Sequence, residues 1–182
     1  MLFSSVPFLF YFLPAVLLVY FLVPKRAKNG VLLLSSLVFY GWGEPRYLPV
    51  MLGSILQGYV FGRLIERFRN TRRAKLFLLL SVLLSLGTLA YFKYADFMIA
   101  NLNALTGLSV PLLRLALPVG ISFYTFQILS YTVDVYRGTV PAQRDFIDLA
   151  AYIAMFPQLI AGPIVRYSDI AAQLKMRGHS VS

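Results

Sequence analysis

Residues 117–138, LPVGISFYTFQILSYTVDVYRG, form an apolar segment long enough to cross a membrane as a helix, although polar side chains recur along it. On a helix, a spacing of four, three, four and three residues places one set of them on a single face: Gly120, Tyr124, Gln127, Tyr131 and Asp134. In lipid, each polar group needs a partner or a water-filled cavity. This face therefore packs against other helices or lines a cavity.

Two functional interpretations of this face are equally good from spacing alone. In the first, Tyr124, Gln127 and Tyr131 line a substrate tunnel, and Asp134 pairs with Arg137 at its cytoplasmic mouth. In the second, the same groups hold neighbouring helices together.

Composition indicates that the whole chain is membrane-embedded. The 182 residues are 59% hydrophobic and 13% charged, with a mean hydropathy of +0.72. Since a membrane crossing needs roughly 20 helical residues, we expect an all-α, polytopic helical bundle with about five or six membrane segments. No linker divides residues 1–182 into separate domains, so we expect one transmembrane domain.

The net charge of +10 comes largely from two short connections. They contain nine of the seventeen basic residues: Lys25, Arg26, Lys28, Arg63, Arg67, Arg69, Arg72, Arg73 and Lys75. Such clusters between apolar segments are typical of cytoplasmic loops that meet anionic lipid headgroups. No aromatic surface for base readout accompanies them, so nucleic acid is not an expected partner.

The chain has no cysteine and one histidine, His179. Disulfides, thiolate zinc sites and cysteine nucleophiles are therefore excluded within these residues, and a metal site is not expected. His179 follows Gly178 in a polar tail, which is typical of a solvated side chain.

The first half of the chain predicts three apolar segments. Residues 3–23 form a first span whose N-terminus is predicted outside, on the side of the membrane opposite the cytoplasm. Its two prolines make it irregular. Residues 30–42 and 47–62 form a hairpin that turns near 44–46. The short arms of this hairpin favour tilted or re-entrant segments.

In the second half, residues 76–92 cross outward to an aromatic belt at 91–94, a polar loop occupies 95–114, and residues 117–133 return. The last apolar run, 146–165, contains Pro157 and Gly162-Pro163, which predict a broken or re-entrant segment. Arg166 follows this break and could hold an anionic or carbonyl group, or extend to the headgroups.

Several motifs in the expected order resemble the membrane-bound O-acyltransferase family, in its bacterial polysaccharide branch. They are LFSSVPFLFYFLP, LVFYGW, YFKYADF, PVGISFYTFQILSYTVDVYRG and FPQLIAGPIVRY. The resemblance covers the whole chain and implies the N-terminal half of a helical enzyme built around a central funnel.

The resemblance implies transfer of acetyl groups to hydroxyls of an extracellular polysaccharide such as alginate. It further implies an inner-membrane location, an acyl donor such as acetyl-CoA or another activated carrier, and periplasmic O-acetylation partner proteins. Tyr124, Gln127, Tyr131 and Arg166 become candidate tunnel residues, and Asp134, Arg137, Gly162 and Pro163 architectural ones.

The catalytic histidine of this family, commonly in a Trp-His-Gly motif, is not found in these residues, and His179 does not match its position. We therefore expect it beyond Ser182, and we expect the 182 residues alone to be inactive. Two alternatives remain: transfer of D-alanyl or other acyl groups to teichoic acid, peptidoglycan or lipid, and a non-catalytic transporter or scaffold.

Overall fold

The computed structural model describes residues 5–24, 27–161 and Tyr167. Within these residues the protein is helical and contains no strand, so the predicted all-α class is confirmed. After a π-helical segment, Phe8–Phe12, the α-helices are α1 (Leu13–Leu22), α2 (Lys28–Gly43), α3 (Leu48–Arg67), α4 (Arg72–Thr106), α5 (Ile121–Arg137), α6 (Phe146–Ala154) and α7 (Phe156–Ala161).

The first apolar segment is irregular, as predicted. Its π-helical turn ends where the Leu13 N–H donates to the Phe8 carbonyl, five residues earlier. Pro14 follows in the first turn of α1 and has no N–H to donate. The wider turn therefore lies next to the position where the regular hydrogen-bond ladder is interrupted.

Helices α2 and α3 form the predicted hairpin, with a single 3₁₀ turn at Pro45–Tyr47 between them. The expectation that both arms are short is wrong for α3, which has 20 residues and continues to Arg67. Arg63 and Arg67 therefore lie on the last turns of a helix and not in a loop. This is favourable, because basic side chains complement the partial negative charge of a helix C-terminus.

Helix α4 has 35 residues, so the loop predicted at 95–114 is wrong up to Thr106. At 1.5 Å per residue, the helix is about 52 Å long and extends about 20 Å past a 30 Å hydrocarbon core. It ends at Gly107, which adopts the left-handed conformation with φ +72°. The polar residues that suggested a loop lie on the extension of the helix.

Residues 107–120 return beside this extension. The Asn103 side chain exchanges two hydrogen bonds with the Val110 backbone, and the Leu113 N–H donates to Asp96. Helix α5 begins at Ile121, later than the predicted span, because Gly120 is its N-cap with φ +74°. Gly120 therefore does not belong to the helical face assigned to it above.

The last described segment is broken, as predicted, but the break is at Met155, between α6 and α7. The Phe156 N–H there donates to Ser36 Oγ on α2 at 3.3 Å, which supplies a partner for one of the free donors of α7. Pro157 lies in the first turn of α7, where its missing N–H costs no hydrogen bond. Gly162 and Pro163 lie outside the described residues.

Helix α5 lies in the centre of the bundle, with α3, α4 and α6 packed against it, while α2 packs mainly against α6. The outward surface is rich in exposed Leu, Val, Phe and Tyr side chains. Among the described residues, two helical stretches are long and apolar enough to cross a membrane, Pro45–Arg67 and Arg72–Thr106. We call the end with residues 69–75 and 138–145 the basic end, and the end with residues 44–47 and 107–120 the opposite end.

Glycines on α3 allow α5 to approach closely. A Cβ built at Gly62 would lie 2.7 Å from Tyr131 Cε1 and 2.8 Å from the Tyr131 hydroxyl oxygen. Tyr131 is fully buried and cannot move away without displacing the core. Gly62 is therefore required for the packing of α3 on α5.

We expect Gly62→Ala to destabilise the protein by about 1–3 kcal/mol, because the added methyl group overpacks the contact with Tyr131. Gly53→Ala on the same helix is the matched control, since a Cβ there meets nothing within 4 Å. The midpoint of thermal unfolding of the detergent-purified protein should fall only for Gly62→Ala. Equal midpoints for the two variants would contradict the described packing.

Candidate functional site

The predicted polar face of α5 is buried in the interior of the bundle. Tyr124 and Tyr131 are 0% exposed, Gln127 is 2% exposed and Asp134 is 8% exposed. These four side chains recur every three or four residues on a regular helix, so the shared face predicted for them is confirmed. The structure therefore places these four hydrogen-bonding side chains in the interior of the bundle.

Two members of this face connect α5 to other parts of the chain. The Tyr131 hydroxyl accepts a hydrogen bond from the Gln143 N–H at 2.9 Å. Gln127 Nε2 donates to Gln158 Oε1 on α7 at 3.0 Å. Both contacts hold neighbouring segments against α5, which is what the second interpretation of the face requires.

Other atoms of the same face are buried but have no hydrogen-bond partner among the described residues. They are the Tyr124 hydroxyl, Gln127 Oε1 and Asp134 Oδ2. The Tyr40 hydroxyl on α2 is also buried and also has no described hydrogen-bond partner. Because most buried polar atoms in proteins are satisfied, these unpartnered atoms are candidates for contact with a water, a ligand or another part of the protein.

Tyr40 was missed by the sequence reasoning. It lies in the apolar run of α2 and is 5% exposed in the same core cluster as Tyr124. Glu44, at the start of the turn that follows, accepts a hydrogen bond from the Val119 N–H at 3.0 Å. This bond holds the segment before α5 next to the end of α2.

The remaining predicted site residues gain no support. The structure shows no hydrogen bond or ion pair between the Asp134 and Arg137 side chains, and Arg137 is exposed. Arg166 and His179 lie outside the described residues, as do Gly162 and Pro163. In the described part of the chain, no group of three His, Asp or Glu side chains could hold a metal ion.

At the basic end, a hydrogen-bond network that spacing did not reveal fixes the loop between α5 and α6. Asp148 on α6 accepts hydrogen bonds from Asn29 at 2.6 Å and Gln143 at 3.2 Å. Glu66 on α3 accepts from the Ala142 N–H at 2.9 Å. The Tyr59 hydroxyl donates to the Arg144 carbonyl at 2.8 Å. Together with Tyr131 on α5, three helices therefore hold this loop in place, and the Asn29 bond ties α2 to α6 beside it.

The fold and this interior define a class: an all-α protein that has helices long and apolar enough to cross a membrane and that encloses hydrogen-bonding side chains. Within that class, the chain is similar over its full length to curated O-acetyltransferases. The probable alginate O-acetylase of Pseudomonas aeruginosa is 44% identical over 186 residues, which is 100% of this chain and 36% of that protein. The corresponding protein of Pseudomonas syringae pv. tomato is 42% identical with the same coverage.

A peptidoglycan O-acetyltransferase of Helicobacter pylori is 33% identical over 204 residues, which is 96% of this chain and 39% of that protein. The chain is therefore homologous to these O-acetyltransferases, and the resemblance predicted from its motifs is confirmed. It spans about 36% of the length of the alginate O-acetylases. No family model matches the chain, and no solved structure gives a significant match.

We expect Tyr131→Phe to lower the midpoint of thermal unfolding more than Tyr59→Phe. Each change removes one phenolic hydroxyl that bonds the loop at the basic end. The bond of Tyr131 is buried, so its loss leaves the Gln143 N–H without a partner, at a cost of about 1–3 kcal/mol. The bond of Tyr59 is exposed, and water can replace it.

Thermal unfolding of the two detergent-purified variants beside the unsubstituted protein measures this difference. A larger loss for Tyr59→Phe would show that the buried bond does not hold the loop.

Proposed function

We propose that the chain is part of a membrane O-acetyltransferase that transfers acetyl groups to hydroxyls of an extracellular polysaccharide such as alginate. The similarity of the whole chain to alginate O-acetylases carries this proposal. The buried polar face of α5 supports it, since a reaction between a carbonyl and a hydroxyl group needs oriented hydrogen-bonding groups.

In this proposal Tyr124 and Gln127 line the reaction cavity and orient the reacting groups. Tyr131 shapes the cavity wall, because its hydroxyl already accepts the Gln143 N–H. Removal of the proton from the acceptor hydroxyl needs a general base, which contributes about 10²- to 10⁴-fold to such reactions. The 182 residues contain no Trp-His-Gly motif, so we propose that the base comes from outside these residues and that they are inactive alone.

The proposed acetyl donor is acetyl-CoA or another activated acyl carrier, used as a substrate. Periplasmic O-acetylation proteins are the proposed partners. Peptidoglycan is a second candidate acceptor, which the similarity to the Helicobacter pylori enzyme favours. The ester that accumulates on the cell envelope when the complete protein is produced distinguishes the two acceptors.

The proposed arrangement places all the helical segments in the bacterial inner membrane, with the basic end in the cytoplasm. The positive charges at 69–75 support this orientation. The segment at 107–120 would then face the periplasm, where the acceptor is.

The orientation predicts that Ser109→Cys in the complete protein is labelled by a membrane-impermeant maleimide in intact spheroplasts, whereas Thr71→Cys is labelled only after permeabilisation. Both side chains are exposed, and these 182 residues contain no cysteine of their own. The unsubstituted protein supplies the background. If only Thr71→Cys were labelled in intact spheroplasts, the orientation would be the opposite of the proposed one.

We expect Gln127→Ala in the complete protein to reduce polysaccharide acetylation in cells by about tenfold or more, a loss of about 1.4 kcal/mol in transition-state stabilisation. Gln57→Ala is the matched control. It also removes a glutamine between helices, whose amide donates to the Ser81 carbonyl and Ser85 Oγ. Protein levels are compared by immunoblot, and unchanged acetylation by Gln127→Ala at a normal level would refute its role.

A further inference from the structure

Two grooves lie next to each other on the outward surface of α2. The first, of about 260 Å³, runs between α1 and α2. The second, of about 370 Å³, lies between the start of α2 and the start of α6. Val31 and Leu34 line both grooves, so the two grooves meet at these side chains. A single ligand laid across them would contact both grooves.

The groove between α1 and α2 is apolar. Its walls are formed by Ala15, Val16 and Val19 from α1 and by Val31, Leu34 and Val38 from α2. Ser35 also lines it, but the Ser35 hydroxyl already donates to the Leu32 carbonyl of the same helix at 3.0 Å. At 1.5 Å per residue, the wall from Val31 to Val38 is about 10 Å long. A narrow apolar groove of this kind suits an extended hydrocarbon chain and not a sugar.

A buried cation lies at the end of this groove. Lys28, one helical turn before Val31, is 7% exposed. Its ammonium lies 4.7 Å from the centre of the Tyr20 ring and 5.7 Å from that of Phe21, both at the end of α1. Among the described residues it forms no ion pair. Since a lysine is rarely this buried without an anionic partner, an anion at this end of the groove would stabilise it.

The second groove brings a carboxylate to the same end of the bundle. Asp145 and Asp148 both line it. The Asp148 oxygens already accept hydrogen bonds from Asn29 and Gln143. Asp145 is exposed, and its Oδ1 accepts the Ile147 N–H at 2.8 Å, whereas its Oδ2 has no hydrogen-bond partner in the described part of the chain. Asp145 therefore offers an acceptor to a cationic group.

Open space separates the lysine from this carboxylate. Lys28 contacts α1, whereas its neighbour Asn29 bonds Asp148 on α6, so the two charges lie on opposite sides of the outward surface of α2. Ala27 and Gly30 line the second groove between them, and a Cβ built at Gly30 meets nothing within 4 Å. The surface thus presents a cation, a space without side chains and a carboxylate beside an apolar groove.

We propose that the two grooves bind one phospholipid with a zwitterionic headgroup, of the phosphatidylethanolamine class. Its acyl chain lies between α1 and α2, its phosphate pairs with Lys28, and its ammonium pairs with Asp145. A phospholipid without an ammonium group supplies the phosphate but leaves Asp145 without a partner. This inference goes beyond acetyl transfer and needs only the proposed membrane location, with the basic end at the membrane surface.

The test measures the Kd of the complete, detergent-purified protein for single lipids by native mass spectrometry. Dioleoyl phosphatidylethanolamine should bind about threefold more tightly than dioleoyl phosphatidylglycerol, as expected for one exposed ion pair. Gly30→Leu fills the space between the charges and should raise the Kd for the first lipid about fivefold or more. Gly87→Leu on α4 is the matched control, since a Cβ there also meets nothing within 4 Å.

Two charge variants assign the headgroup contacts. Asp145→Asn keeps a side chain that caps α6 but removes the carboxylate, so the Kd values for the two lipids should become equal. Lys28→Gln should raise both Kd values about fivefold, because both lipids carry the phosphate, and Lys28→Arg should restore them. Lys93→Gln is the matched control, because the Lys93 ammonium also lies over a tyrosine ring, that of Tyr94, but far along α4.

Thermal unfolding without added lipid separates a lipid site from a contact within the protein. Gly30→Leu should keep or raise the unfolding midpoint, because leucine favours a helix more than glycine does. A lower midpoint with an unchanged Kd would overturn the inference, since another part of the complete protein would then cover the groove.

Equal binding of the two lipids by the unsubstituted protein, or tighter binding of phosphatidylglycerol, would also overturn the inference. So would a Kd that neither Gly30→Leu nor Lys28→Gln changes. If the complete protein fails to acetylate polysaccharide in cells but shows the expected lipid preferences, the proposed function is wrong and the lipid site stands.

Discussion

The arrangement of this protein depends on one constraint: polar side chains on a central membrane helix must find partners where lipid and apolar side chains offer none. Helix α5 carries several of these buried polar side chains. Its Tyr131 hydroxyl holds the loop before α6 through the Gln143 N–H, and its Gln127 holds α7 through Gln158. On the other side, Gly58 and Gly62 let α3 approach α5 so closely that an added Cβ would lie 3.0 Å from Ile128 Cγ2 and 2.7 Å from Tyr131 Cε1. The positions of α3, α6 and α7 thus follow from the polar groups of α5.

The helices that could be predicted from the sequence are those whose ends have strong local signals. Gly43, Glu44 and Pro45 interrupt an apolar pattern, and the hairpin turns there. The loop predicted at 95–114 shortens helix α4, because the polar residues Asp96, Asn101 and Asn103 resemble a loop in sequence. They continue the helix, since no proline or glycine stops it before Gly107. Polarity indicates where a membrane helix leaves the lipid, whereas a helix end needs a residue that changes the backbone.

The candidate site, like the helices, could be predicted from the sequence only where the signal is local. The spacing of three or four residues predicted a shared face for Tyr124, Gln127, Tyr131 and Asp134, because spacing within one helix determines which side chains lie together. Their partners come from other elements, and no local pattern identifies these. Tyr40 lies in the apolar run of α2, and its proximity to Tyr124 results only from the packing of the helices. Spacing could therefore not decide between tunnel lining and helix contacts. The structure shows helix contacts on this face beside buried atoms that have no described partner, and tunnel lining stays a prediction.

The basic end of the bundle carries a dense hydrogen-bond network, although buried atoms without a described partner lie along the whole polar face of α5, including Asp134 Oδ2 near this end. At the basic end, the bonds of Asp148, Glu66 and Tyr131 fix the loop from three helices, α6, α3 and α5, which is typical of a rigid support. Toward the opposite end, the Tyr40 and Tyr124 hydroxyls are equally buried but unpartnered. The bonds at the basic end hold α3, α5 and α6 in fixed positions and so fix the unpartnered groups of α5 relative to one another, which is the kind of support that a binding site would need.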